Sequence, residues 1–177
     1  MDEDVRLERP VRLQGEAGVL EGSLLISPRQ RTLDQLNLSE RSFVTLHHVR
    51  VVRGDWTLGG GPLTFNKAMI LFLQETNPPP PQRDRSFGQF TQAPVCFRIA
   101  EFEVRGFVHV PPGGEPMKRL EQNKHPFISL TSVLVTGPGT DFSVPFLAVN
   151  RERVVAAQQL VLPASATVDA AASIPAE

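Results

Sequence analysis

Short apolar runs in two-residue alternation dominate this chain, a spacing that predicts strands more than helices. Residues 16–27 are rich in Val, Leu and Ile without helical periodicity, and residues 100–110 alternate apolar with polar positions around Phe102 and Val104. Both suit β-strands. Gly22 and Gly106 lie inside them, where a glycine marks a bulge or the sharp bend of a small barrel. Pro28 and Pro112 then end the ladder, and a brief helical pattern follows each. Thr32 is placed as the N-cap of residues 33–37, and Pro116 suits the first helical position before Met117. Leu33/Leu36 and Met117/Leu120, three apart, give each short helix one apolar face that could plug a barrel end.

Residues 43–52 and 127–136 are dense in β-branched types and predict the longest strands. Their apolar spacing changes from three to two along positions 43, 46, 49 and 51, as in a bulged or strongly bent strand. Gly59-Gly60-Gly61 and Gly137-Pro138-Gly139 mark turns. Two short strands close each pattern, residues 63–65 with 69–73 and 142–149 with 153–156. The turns between them carry Asn66-Lys67 and Asn150-Arg151, and a left-handed asparagine is the expected reason for the recurrence.

The two patterns are one pattern written twice. At an offset of 84, residues 11–74 align with 95–158 without a gap: Val11 with Val95, Gly22 with Gly106, Pro28 with Pro112, Leu36 with Leu120, Phe43 with Phe127, Leu63 with Leu147, Asn66 with Asn150. Such self-similarity decides the architecture before any local reading. The expected fold is all-β with short helices: two tandem five-stranded barrels at residues 11–74 and 95–160. Residues 75–94 read as a linker stiffened by the prolines at 78–81. Residues 1–10 are expected to be a flexible N-terminus, and residues 161–177 a disordered Ala-rich tail.

Composition narrows the function classes. Over 177 residues the chain is 41% hydrophobic and 21% charged with a net charge of −1, an ordinary globular balance with no strongly basic half to neutralise phosphate. No apolar run is long enough for a membrane-spanning helix, and the acidic start Asp2-Glu3-Asp4 does not read as a signal peptide, so a cytoplasmic location is expected. Cys96 is the single cysteine and is expected to be a buried thiol. His47 and His48 are adjacent on a strand, which points them to opposite faces and argues against one shared metal; His109 and His125 lie in the other copy. Gly59-Gly60-Gly61 lacks the Lys-Ser/Thr of a phosphate loop, and no nucleophile motif is present. The expectation is a protein that is not an enzyme, without metal, cofactor or small-molecule substrate.

The stretch Asp34-Gln35-Leu36-Asn37-Leu38 resembles the first signature of Sm proteins, and Phe65-Asn66-Lys67-Ala68-Met69-Ile70-Leu71 resembles the apolar pattern of the second. Residues 31–37, Phe43 and Val149-Asn150-Arg151 are similar to a group of uncharacterised bacterial Sm-like domains. The resemblance implies small barrels of the Sm or SH3 type. It also implies a base-reading amide at Asn37 and a stacking cation at Lys67, matched in the second copy by Arg151, with Glu121 standing where the amide would be. Arg83, Arg85, Phe87 and Phe90 interleave cations with aromatics and are candidates for an interaction linker. Because a barrel of this size is marginal alone and its edge strands pair readily, the leading reading is a protein–protein interaction or scaffolding module. Self-association is included, with three chains in a six-barrel ring as one closed arrangement. Single-stranded RNA binding is the alternative.

Overall fold

The computed structural model describes residues 6–78 and 90–161. Ten strands form one open antiparallel sheet. In the first half these are β1 (Leu7–Gly15), β2 (Gly18–Ile26), β3 (Phe43–Arg53), β4 (Leu63–Asn66) and β5 (Ile70–Glu75), with helix α1 (Thr32–Leu36) between β2 and β3. The second half repeats them as β6 (Thr91–Ile99), β7 (Phe102–Val110), β8 (Phe127–Gly137), β9 (Thr140–Asn150) and β10 (Val154–Gln159), with α2 (Pro116–Gln122) after β7. A single 3-10 turn joins β4 to β5 (Lys67–Met69) and another joins β9 to β10 (Arg151–Arg153). Apart from β9, every second-half element begins 84 residues after its counterpart, the interval found in the sequence.

Strand order is β10-β6-β7-β8-β9-β5-β1-β2-β3-β4. Each half therefore has the same internal order, and β5 of the first half hydrogen-bonds to β9 of the second, Phe72 opposite Val149 and Leu73 opposite Ala148. The all-β expectation holds. Of the two tandem five-stranded barrels expected, the sheet shows the repeated strand order but no closure: the ladder is continuous across the halves and, among the described residues, ends openly at β4 and β10.

The expected bends are present, and they have a local cause. Opposite Gly22 the β2–β3 register shifts, and the bulge residue His48 adopts φ 52°; opposite Gly106 the β7–β8 register shifts, and Ser132 adopts φ 49°. A side chain on Gly22 would bring its Cβ to 2.9 Å from the His47 carbonyl oxygen, so only glycine lets the strands approach at the bend. The β8–β9 hairpin closes on Pro138-Gly139 with Gly139 at φ 67°, as a type II turn requires.

Two cores result. Leu13, Leu20, Ile26, Leu36 and Leu46 centre the first, while Phe97, Phe102, Leu130 and Val135 centre the second. Leu33 packs on the first and Met117 and Leu120 on the second, as the helical spacing predicts. Several boundaries differ from expectation. Leu7 to Pro10 belong to β1, paired with β2, so the first strand starts inside the segment expected to be flexible. Thr91 to Pro94 belong to β6, inside the expected linker. Pro10 and Pro94 are tolerated because they stand at the ends of the ladders to β5 and β10, where each acts as acceptor only, its carbonyl taking the N–H of Thr76 and of Leu160. Arg31, not Thr32, is the N-cap of α1; its backbone N–H donates to Asp34 Oδ2 at 3.0 Å, while the Thr32 hydroxyl donates to Glu75. Cys96 is half-buried beside Arg105 in the β6–β7 ladder, not enclosed. The prolines at 79–81 and the tail beyond residue 161 lie outside the described residues.

Alanine at the two bends tests this account. Gly22→Ala meets the His47 carbonyl oxygen at 2.9 Å, closer than any contact at Gly106, where the added Cβ would lie 3.1 Å from Val133 Cγ2 and 3.2 Å from the Thr131 carbonyl oxygen. Gly22→Ala should lower stability by about 1–3 kcal/mol and Gly106→Ala by less, read from urea midpoints at constant slope. Equal midpoints would discard the close-approach explanation.

Candidate functional site

The side chains that the sequence singles out converge on the seam between the halves. Asn37, the residue after α1, points across it. Its Nδ2 donates to the Phe127 carbonyl at 3.0 Å, and its Oδ1 accepts the Phe127 N–H at 2.9 Å. Both polar ends of the amide are thus occupied by one backbone unit of β8. The β7–α2–β8 connection delivers Phe127 to that point, and its ring enters the first core.

Lys67 begins the 3-10 turn after β4 and is buried. Its Nζ donates to the carbonyls of Leu36 at 2.9 Å and Leu38 at 2.8 Å, which closes the C-terminal end of α1. Burial lowers the ammonium pKa from its ordinary value, and the neighbouring Arg41 charge lowers it further. A cation spent on two carbonyls presents no face for a base to stack on. Arg151, its counterpart, is half-buried; its Nε is enclosed without a hydrogen-bond partner among the described residues. Arg83, Arg85 and Phe87 lie outside the described residues. Phe90 is exposed and carries the Arg119 guanidinium 5.6 Å from its ring centroid.

Two further residues complete the seam. Asn150 is buried, and its Nδ2 donates to Ile70 O at 2.9 Å and Lys67 O at 3.2 Å, while its Oδ1 accepts the Glu152 N–H. Arg153 donates from Nε to Ala68 O at 2.6 Å and forms an ion pair with Glu16 at 2.8 Å. The left-handed asparagine expected in these turns is replaced by a different device: Asn66 and Asn150 have φ of −69° and −74°, and each caps its 3-10 turn by accepting the N–H two residues on. Seam and cap together account for Asn150. Only the cap accounts for Asn66, which is exposed and whose amide Nδ2 makes no hydrogen bond among the described residues.

The apolar side of the seam is β5. Ile70 and Leu73 enter the first core, Leu71 and Phe72 the second, and Phe72 meets Phe102 edge-to-face at 5.2 Å. A strand buried on both faces needs a continuous apolar run, and residues 70–73 (ILFL) supply one. The matching strand β10 reads VVAA, with Val155 and Ala156 exposed. That difference was the signal in the sequence for the seam.

The histidines do not gather. His48 Nε2 lies 3.5 Å from Glu8, and His109 Nε2 is 3.2 Å from the Thr131 hydroxyl. His47 and His48 border one shallow depression of about 260 Å³ with Gly59, Gly60 and Gly61, because the bulge at His48 breaks the alternation that would send them to opposite faces. Among the described residues no three His, Cys, Asp or Glu side chains stand together as metal ligands, and no helix is long and apolar enough to cross a membrane.

Asn37→Ala leaves the Phe127 N–H and carbonyl facing an empty place at a partly buried junction. The expected loss is about 1–3 kcal/mol of unfolding free energy. Asn37→Asp keeps the acceptor only and should fall between that variant and wild type. A urea midpoint unchanged in Asn37→Ala would show that the seam does not depend on this pair.

No family model matches the chain, and neither does any curated protein or solved structure.

Proposed function

We propose that this protein is a non-enzymatic interaction or scaffolding module, built from two small barrels of the Sm or SH3 type, that engages protein partners, further copies of itself included, through the edges of its sheet. The observation that carries this reading is the pair of unpaired edges. Among the described residues strand β4 at one end and β10 at the other have one sheet neighbour each, and exposed apolar side chains lie beside them: Phe43 and Met69 near β4, Val155 on β10. A free edge presents N–H and C=O groups in a row and takes up an extended partner strand by backbone pairing. The identical order of the five strands in each half, the bend at each strand glycine and a separate core in each half support the barrel description.

Single-stranded RNA binding is the second reading. The Sm-like signature at residues 34–38 favours it. Against it stand Asn37 with both amide ends occupied by Phe127 and Lys67 buried on the end of α1. The net charge of −1 adds no electrostatic attraction for phosphate.

A fluorescent single-stranded RNA should show no retention at low salt. Retention that weakens steeply with salt and is lost in Lys67→Ala would replace the scaffold reading with the RNA one. Light scattering over rising protein concentration should give a mass above the 19.5 kDa of one chain, reduced by Val155→Lys, which places a charge on the open β10 face. A fixed mass of one chain at every concentration would remove self-association from the proposal.

A further inference from the structure

Building on that reading, we infer that the occupant of each open edge is a second copy of this chain, joined head to tail: β4 of one molecule pairs antiparallel with β10 of the next in the register of the internal β5–β9 seam. The argument is one of equivalence. Half of the internal seam is built by the first half through β5, its 3-10 turn and the end of α1; the other half is built by the second half through β9, Phe127, Asn150 and Arg153. The first half keeps its own unused version of the latter surface, and the second half keeps its own unused version of the former. One molecule therefore carries both sides of a joint whose geometry its own interior already displays.

Moving the internal pairs by the repeat interval sets the register. Phe72 opposite Val149 becomes Ala156 opposite Phe65 of the next chain, and Leu73 opposite Ala148 becomes Ala157 opposite Thr64. Asn66 takes the place of Asn150. Its Oδ1 already holds the Ala68 N–H, as Asn150 holds that of Glu152, so its free Nδ2 would donate to the carbonyls of Arg151 and Val154 in the neighbour. Phe43 takes the place of Phe127. It is 53% exposed where Phe127 is 1%, the change of burial expected at a surface waiting for cover.

The substitutions across the joint are matched on both sides. The internal ion pair of Arg153 with Glu16 has Met69 and Ala100 at the equivalent positions, an apolar pair, both exposed. Where Asn37 both accepts from and donates to Phe127, Glu121 can accept the Phe43 N–H only. The outer joint is thus less polar at one end, weaker at the other, and smaller where VVAA replaces ILFL. A reversible association is expected in place of the permanent internal one. Because the two edges differ, the contact is heterologous and chains add in one direction, closing into a ring where the rotation per chain permits.

Disulfide trapping and one polar substitution test the inference. In a Cys96→Ser background, Thr64→Cys and Ala157→Cys chains are mixed in equal amounts and oxidised mildly. Crosslinked dimers should form in the mixture and be scarce in either chain alone; a chain carrying both cysteines should give a ladder of multiples. Crosslinks within one variant alone, Thr64→Cys with itself or Ala157→Cys with itself, would overturn the head-to-tail register and leave the scaffold reading standing. A single-chain mass for wild type at every concentration would overturn the inference and remove self-association from the proposal, whereas edge binding of other proteins would remain. Asn66→Asp keeps an acceptor for Ala68 and removes the donated hydrogen bonds, so it should weaken association about tenfold or more with an unchanged urea midpoint. Association equal to wild type in Asn66→Asp would refute the role given to that amide.

Discussion

Strand β5 is the member on which the rest of the structure depends. Leu71 and Phe72 leave its outer face and enter the core of the second half, while Ile70 and Leu73 leave its inner face and close the core of the first. Burying a side chain of this size is worth roughly 1.5–3 kcal/mol, so four of them outweigh the two-pair ladder that joins β5 to β9. A half-chain of this length buries too small a share of its surface to be secure alone. Sharing β5 gives each half a wall it cannot build itself, and it fixes the position of the other seam contacts.

Around that strand polar side chains take up exposed backbone groups of the seam. Asn37 serves Phe127, Asn150 serves Lys67 and Ile70, Arg153 serves Ala68, and Lys67 serves the last carbonyls of α1. Buried or half-buried backbone groups without partners are costly, and a strand that ends in a 3-10 turn leaves several. The same residues that look like ligand-contacting positions in a sequence are the ones such a junction requires, because both tasks call for an amide or a cation beside an exposed peptide edge. Physical demand from the fold therefore explains Asn37 and Lys67 without a ligand.

Much of the fold was legible in the residues. The interval of 84 recurs in the starts of all but one element pair, the strand glycines sit at bends, Pro116 opens α2, and the change of apolar spacing in β3 marks a real bulge at His48. Three things were not legible. The strand starts at Leu7 and Thr91 carry charges, prolines and threonine on edges where no alternation is enforced, so the pattern faded before the ladder did. Thr32 yielded the cap to Arg31 because its hydroxyl is drawn to Glu75, a residue 43 positions away. Asn66 and Asn150, identical in local sequence role, differ completely in burial, one exposed and one enclosed, since only the second faces another half.

By itself the sequence determined what is local or periodic: an all-β chain, its duplication, its bends and its turns, all set by side-chain spacing and by the backbone limits of Gly and Pro. The tertiary structure decided which copies of those repeated elements are covered and which remain open. The two halves share one joint on this chain, and that joint consumes β5 and β9 while leaving β10 and β4 with one neighbour each among the described residues. Occupancy of an edge is a property of the arrangement in space, and no residue reports it alone.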